Sequence, residues 1–348
     1  MSEDFSPQSN HYLLGQEEAE NTFLQAWKNN TLHHAWILSG EKGVGKATLA
    51  YRIARFLLCA DPNNKAKYSS LSVSPDNPIF QQVATSSHPD MMVLERDYTE
   101  TDKRKIISSI RKGEVISDDE LSSLKKSAFI RVDDVRKVND FLSKTSFNNG
   151  WRVVIIDSAD EMNKSAANAL LKILEEPPAK TLLLLISHNS GLLLPTIRSR
   201  CAKLPLRLLN NEEVSCLLRR YRSELNETMI SRLAEMSGGS IGRAILYADE
   251  GAVNFYDDMC RLLYSKQNYS LKEMLDFCDE ATSSSEMFDL CEELMLKFLK
   301  DNMLNSKDKE ELYDLWNETR KKFSDCSSVN MDKRLMLINL FNKICRVL

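Results

Sequence analysis

A glycine-rich loop near the start of the chain carries the residues best suited to chemistry. Gly40, Gly43, Gly45 and Lys46 fit the pattern G-x-x-x-x-G-K, directly after a short apolar run at 35–38. Glycines let backbone N–H groups wrap a phosphate chain, the N-terminus of the next helix adds partial positive charge, and lysine reaches the terminal phosphates. The pattern predicts a phosphate-binding loop between a strand and an amphipathic helix.

The residue after the lysine departs from this pattern. A Ser or Thr normally stands there to coordinate magnesium, but this chain has Ala47. The hydroxyl of Thr48 comes one residue late and points about 100° further around the helix. The sequence therefore predicts poor metal coordination and leaves open whether the loop binds ATP or ADP.

The stretch from 152 to 201 supplies the elements around that loop. The run 152–156 is apolar and β-branched after its first residue, Arg152, and it ends at Asp157. This pattern indicates a parallel strand buried on both faces with an acid at its carboxyl end. Ligands of open α/β sheets bind at that edge. Asn163 can cap a helix that stops before Pro177, because prolines lack the backbone donor, and 182–186 reads as a second buried strand.

Composition narrows the class of protein. The chain has 348 residues and a net charge of -4, so it can bury a sizeable core but lacks the basic balance of a dedicated nucleic-acid binder. The start is polar and no apolar run approaches the roughly 18 residues of a membrane span, so we expect a cytoplasmic protein without a membrane partner. Eight cysteines without a C-x-x-C pair predict free, buried thiols.

The rest of the chain is read more coarsely. Residues 15–29 predict a lead-in helix, 60–80 a loop, and 91–95 a strand. Residues 96–127 are strongly charged and predict a solvated surface insertion, although its basic side chains could also meet DNA phosphates; these are Lys103, Arg104, Lys105, Arg111 and Lys112. After 204 the pattern is helical throughout, with interhelical turns predicted at 282–285 and 324–328.

Four stretches together resemble the clamp-loader subunits of bacterial DNA polymerase III, an AAA+ family. They lie in family order within the first two hundred residues, and the third and fourth are the most discriminating. They are H-H-A-W at 33–36, G-E-K-G-V-G-K at 40–46, A-A-N-A-L-L-K-I-L-E-E-P-P at 166–178 and R-S-R-C at 198–201. The resemblance implies an α/β AAA+ P-loop domain with a parallel sheet, followed by a small helical lid and an all-α collar domain.

The family has two branches, the ATP-hydrolysing gamma/tau subunits and the delta prime subunits, which act as non-hydrolysing stators. A hydrolytic site needs an Asp to hold magnesium and a Glu directly after it to polarise the attacking water. This chain has Asp157 followed by Ser158, and the family's nucleotide-facing lid arginine aligns with Gly242. These departures favour the delta prime branch. Only Cys59 stands where many members carry a cysteine cluster, so no zinc is expected.

The resemblance also assigns a role to Arg200 in the R-S-R-C tail. In this family that arginine projects across a subunit interface to the phosphates of ATP held by the neighbour, where it stabilises the charge that develops during hydrolysis. Without the resemblance, Arg198 and Arg200 would be read as salt-bridging residues at the end of a sheet.

These arguments predict three domains: an AAA+ domain at 1–205 with the charged insertion at about 96–127, a three-helix lid at 206–250 and a helical collar at 251–348. The predicted function is a stator of the clamp loader, which joins gamma/tau and delta subunits in a hetero-pentamer and meets primed DNA and the sliding clamp through that complex. One alternative is a divergent ATP-hydrolysing gamma/tau-like subunit. Another is a P-loop kinase acting on a small molecule.

Overall fold

The computed structural model describes residues 5–112, 124, 126–146, 150–265, 270–305, 309–329 and 331–347. Its strands are β1 (Ala35–Ser39), β2 (Met91–Leu94), β3 (Arg152–Ile156), β4 (Thr181–Ser187) and β5 (Ala202–Pro205). They form one sheet in the order β2-β3-β4-β1-β5, and every neighbouring pair is parallel. Read from the other edge, this is the strand order of AAA+ P-loop domains, so the predicted α/β fold with a parallel sheet is confirmed.

The central strands are apolar on both sides because helices cover both faces of the sheet. All residues of β3 and β4 are buried. Alternate residues serve two separate cores: Val153 and Ile155 pack in one, whereas Val154 and Ile156 pack in the other. A continuous β-branched run is therefore what this position in the sheet requires.

The α-helices of this first part of the chain include the predicted helices at 15–29, after the glycine-rich loop and after Asn163. They are α1 (Glu17–Lys28), α2 (Lys46–Cys59), α3 (Pro78–Ala84), α4 (Glu100–Lys112), α5 (Val132–Ser143), α6 (Lys164–Glu175), α7 (Pro195–Arg198) and α8 (Asn211–Tyr221). The side chain of Asn163 accepts a hydrogen bond from the Ala166 N–H at 2.8 Å, so the predicted cap of α6 is confirmed.

The later elements are all helical. They are α9 (Glu227–Met236), α10 (Ile241–Asp249), α11 (Ala252–Tyr264), α12 (Leu271–Ala281), α13 (Ser285–Asn305), α14 (Lys309–Val329) and α15 (Lys333–Val347). Within this part, Phe277 stacks on Phe255 at 4.6 Å and meets Phe341 edge-on at 5.2 Å between ring centroids. Cys291, Leu294 and Phe298 are buried, as their helical spacing predicts.

The loop predicted at 60–80 is confirmed except at its end, and the turn predicted at 324–328 is wrong. Within 60–80 the chain forms a short 3-10 turn at Lys65–Lys67, and α3 already begins at Pro78, because Asn77 caps it and Phe80 is buried. The serine-rich run at 324–328 continues α14 as helix. Phe323 and Cys326 are buried on one face there, and such packing outweighs the weak helix propensity of serine.

The charged stretch at 96–127 contains ordered structure in its first half. Helix α4 begins there, and Asp102 in its first turn is buried and accepts a hydrogen bond from the Thr99 hydroxyl at 2.9 Å. Lys103 pairs with Asp97 at 3.0 Å. Residues 113–123 and 125 and the side chains of 110–112, Arg111 and Lys112 among them, lie outside the described part, so contact with DNA stays a prediction.

The chain divides into two compact units. One comprises Met1–Leu225 and Ala234–Arg243 and contains the whole sheet, and the other comprises Asn226–Leu233 and Ala244–Leu348. The three predicted domain ranges stay predictions. Within the described ranges, no helix is both long and apolar enough to cross a bilayer. All eight cysteines are free; five are buried and two are half-buried, whereas Cys216 is exposed, which corrects the expectation for that residue.

Candidate functional site

The carboxyl edge of the sheet gathers most of the predicted site. Strands β3, β4 and β1 are neighbours, and their carboxyl ends lead into Asp157, His188 and the glycine-rich loop. The loop runs from Gly40 to Gly45 and feeds directly into the N-terminus of α2, as the phosphate-loop pattern predicts.

Lys46 is buried at the base of this loop. Its ammonium donates hydrogen bonds to the carbonyl oxygens of Gly40 at 2.7 Å and Glu41 at 2.6 Å. Burial lowers the pKa of Lys46 to about 8, although Asp160, Asp157 and Glu41 act in the opposite direction. The lysine that would reach a terminal phosphate is thus satisfied by the carbonyls of its own loop.

The tip of the loop is pressed against a second glycine segment. The Ser240 hydroxyl donates to the Lys42 carbonyl at 2.8 Å, and the Gly242 N–H donates to the Gly43 carbonyl at 3.0 Å. A Cβ on Gly242 would lie 2.8 Å from the Gly43 Cα, and a Cβ on Gly43 would lie 2.4 Å from the Ser240 Oγ. Gly242 stands where the family aligns an arginine, and this close approach leaves no room for a side chain there. We call the contact between 42–43 and 240–242 the loop clasp.

The residue directly after Asp157, where hydrolysis needs a glutamate, is a serine, and its side chain lies beside His188. Ser158 adopts a left-handed conformation, with φ of 57°, and its hydroxyl lies 3.2 Å from Nε2 of His188. Burial, and then the charge of Lys46, lower the pKa of His188 below its ordinary value. The Asp160 carboxylate accepts backbone N–H groups of His188 and Asn189 at 3.0 to 3.3 Å, so it is committed to the loop after β4.

The chemistry available at this edge follows from these groups. Thr48 is half-buried, and its hydroxyl makes no hydrogen bond with any described residue. Among the residues that the structure describes, no three His, Cys, Asp or Glu side chains gather closely enough to hold a metal ion. The loop backbone and Lys46 fit a phosphate chain, but the hydroxyl and the acid that hydrolysis needs are not in place.

Arg200 lies at the opposite edge of the sheet. It precedes β5, and Ala202 of that strand pairs with Trp36 near the amino end of β1. Three residue steps, roughly 10 Å, separate that level from Ser39, after which the glycine-rich loop begins. The Arg200 side chain is 37% exposed and forms an ion pair with Glu175 at 2.9 Å, and its Nη1 donates to the Thr196 carbonyl at 3.1 Å.

Sequence reasoning missed two residues that the fold brings into these sites. His188 belongs to no motif in the sequence, although its position directly after β4 is a usable signal, because strand ends at the carboxyl edge face the ligand. Glu175 was read only as part of a motif string. Nothing in its spacing indicates a pairing with Arg200, which the turn of α7 creates.

Fold and site together define a P-loop protein of the α/β class whose loop, strand-end acid and sheet order are those of an AAA+ domain. The family model described as "DNA polymerase III, delta subunit" matches residues 15–210, more than half of the chain. The chain belongs to that family.

Individual relatives point the same way. The chain is 34% identical over 207 residues to DNA polymerase III subunit delta' of Pseudomonas aeruginosa, covering 60% of this chain and 53% of that protein. It is 30% identical over 169 residues to the subunit delta' of Escherichia coli, covering 49% and 41%. A match to DNA polymerase III subunit gamma of Buchnera aphidicola reaches 25% over 276 residues, covering 78% and 63%. The matches thus span between about two fifths and two thirds of these relatives.

Among solved structures, the chain is similar to a DNA polymerase III gamma subunit-related protein from Thermotoga maritima. The identity is 19% and the TM-score 0.47, with 93% of this chain and 99% of the other covered.

Proposed function

We propose that this chain is the delta prime subunit of a cytoplasmic DNA polymerase III clamp loader. In this proposal it is a stator: it does not hydrolyse ATP, it braces a pentamer of gamma/tau and delta subunits, and it supplies Arg200 to the ATP site of a neighbouring subunit. The complex would use that ATP to load the sliding clamp onto primed DNA.

The observation that carries the proposal is the placement of Arg200 relative to the chain's own loop. The arginine lies at the amino edge of the sheet, whereas Gly40 to Lys46 lie at the carboxyl edge. A guanidinium at that distance has no access to phosphates in the same chain, but it is exposed to a partner. Arginine suits the task because its planar fork engages two phosphate oxygens at once.

The residues of the chain's own phosphate loop and strand end support the proposal that this chain does not hydrolyse ATP. Asp157 is followed by Ser158, whose hydroxyl faces His188 rather than carrying a carboxylate toward a water. Ala47 stands where the usual magnesium ligand would be, and the loop clasp engages the carbonyl oxygen of Gly43. A site lacking these groups can at most hold nucleotide passively.

The test is ATP turnover of the loader reconstituted from this chain and its cognate gamma/tau and delta subunits. We expect Arg200→Ala to lower turnover roughly 10-fold, which is less than the ~10³ or more that an arginine finger contributes at a single site. A loss of this size requires that the ATP sites of the complex act as one coupled cycle, so that a slowed site delays the others. Lys46→Met, which disables only the chain's own loop, should leave turnover within about 2-fold.

Two outcomes oppose the proposal. Unchanged turnover in Arg200→Ala, with the complex still assembled by gel filtration, would remove the role of the arginine. A large loss in Lys46→Met, or ATP hydrolysis by the purified chain alone, would favour the divergent gamma/tau-like motor instead.

A further inference from the structure

We propose that Glu175 is a positioning residue for Arg200, holding its guanidinium at the orientation in which it meets the neighbour's phosphates. This inference rests on the proposed function of Arg200. It concerns a residue of the E-E-P-P segment that has no part in the chain's own phosphate loop.

The geometry gives the arginine two anchors on different elements. Its Nη2 lies 2.9 Å from the Glu175 carboxylate at the end of α6, and its Nη1 donates to the Thr196 carbonyl in α7. A long side chain fixed at both η nitrogens loses most of its rotamer freedom before any partner arrives. More than a third of its surface still faces outward. Preorganisation of this kind is what a charge-stabilising group requires.

Glu175 is held on a rigid support. The ring nitrogen Nε2 of His34 lies 3.0 Å from the Leu174 carbonyl, one residue before Glu175, and His34 stacks on His33 with ring centroids 4.3 Å apart. The end of α6 is thereby tied to the start of β1. The H-H-A-W stretch and the E-E-P-P stretch thus meet at one place, beside the arginine.

The charge of Glu175 has no favourable role in the helix itself. A carboxylate in the last turn faces the negative end of the helix dipole, and Glu176 adds a second one. The arginine offsets this, whereas removal of the carboxylate relieves it. We therefore expect Glu175→Ala to fold normally, which separates an effect on turnover from an effect on stability.

The experiment measures kcat and KM for ATP of the reconstituted loader with five variants of this chain, Arg200→Ala among them. Glu175→Ala is expected to lower kcat about 5-fold with KM changed less than 2-fold, because the arginine acts on the transition state. Glu175→Gln, which keeps an oxygen acceptor, should lose about 2-fold. Glu176→Ala, the same change one residue further on at an exposed position, should match the wild type, because Glu176 has no charged partner among the residues that the structure describes. The double variant Glu175→Ala with Arg200→Ala should equal Arg200→Ala alone.

Each outcome decides one of the two claims. If Arg200→Ala has no effect, the proposed function fails and the role of Glu175 fails with it. If Arg200→Ala lowers turnover but Glu175→Ala matches Glu176→Ala, only the positioning role is overturned. It is also overturned if Glu175→Ala lowers turnover further in the Arg200→Ala background, because the carboxylate would then act through another group. Thermal melting of the variants followed by circular dichroism checks that each is folded.

Discussion

The cationic side chains at the two edges of the sheet differ in their burial and in their hydrogen-bond partners. At the carboxyl edge Lys46 is buried, and its ammonium donates hydrogen bonds to the carbonyls of Gly40 and Glu41. At the amino edge Arg200 is anchored by Glu175 but stays exposed. Lys46 is therefore engaged within the fold, whereas more than a third of the Arg200 side chain remains accessible from outside.

This difference shows that the glycine-rich loop of this chain also has a structural role. The loop still contributes packing, because the clasp ties 42–43 to 240–242 through two hydrogen bonds. Glycines at 43 and 242 are then needed for the close approach of two backbones, whether or not a phosphate is present. A glycine-rich motif alone therefore says little about catalysis.

The largest effect we expect on stability comes from breaking the clasp. Gly43→Ala places a Cβ 2.4 Å from the Ser240 Oγ at a φ of +81°. Strain and overlap together should lower the free energy of unfolding by about 3 kcal/mol. Urea unfolding followed by tryptophan fluorescence measures this well, because three of the four tryptophans lie in the unit that contains the sheet.

The matched control for this change is Gly251→Ala. Gly251 has a similar φ of +65°, but a Cβ there meets nothing within 4 Å, so only the conformational cost of about 1 kcal/mol is expected, read from the melting of the helical signal. Equal losses in both variants would mean that the clasp contributes nothing beyond backbone strain.

The second prediction concerns Lys46 and pH. The pKa of Lys46 falls from 10.5 to about 8 on folding, so between these values the unfolded chain binds more protons than the folded one. Stability attributable to this residue therefore rises with pH in that window and is lost as pH falls below it. Between pH 7 and pH 10, the free energy of unfolding of the wild type should increase by roughly 2 kcal/mol relative to that of Lys46→Met.

The control for the pH experiment is Lys42→Met, since Lys42 is an exposed lysine in the same loop. If the difference in unfolding free energy between wild type and Lys46→Met stayed constant from pH 7 to pH 10, the Lys46 ammonium would not be held in a desolvated position. That result would remove the contrast between the two cations.

The smallest effect concerns α6, the helix that runs between the two edges. Asn163→Ala removes the cap that satisfies the Ala166 N–H, and it should cost about 1 kcal/mol of stability. Asn168→Ala, at an exposed position in the interior of the same helix, should instead be neutral or slightly stabilising, because alanine has the higher helix propensity. Unfolding in urea separates the two, and equal behaviour would show that the cap is not used.

The sequence was sufficient for strands β1 to β4 and for the placement of the loop, whereas strand β5 at the edge of the sheet was not predicted. The β-branched run at 152–156 and the G-x-x-x-x-G-K pattern each imply one local structure, and both are present. The helix capped by Asn163 was equally well defined. These are features in which the residue types themselves impose the geometry, through burial on two faces or through missing or added hydrogen-bond groups.

The contacts that matter most at the two edges were not accessible in this way. The clasp joins residues about 200 positions apart, and the ion pair of Arg200 with Glu175 depends on the turn of α7. Likewise, the serines at 324–328 indicated a turn, but packing of Phe323 kept the helix intact. Long-range packing decides such cases, and a single sequence does not encode it in a readable pattern.

Helix α6 has twelve residues and is about 18 Å long, with a capped start and an end tied to β1 through His34. The Glu175 carboxylate, which pairs with Arg200, is therefore carried by a helix that is anchored at both ends. A neighbour that seats against this surface meets groups already in place, so little conformational entropy remains to be lost on docking. Under the proposed role of Arg200, this stiffness would let its guanidinium act on a neighbour's ATP without a prior rearrangement.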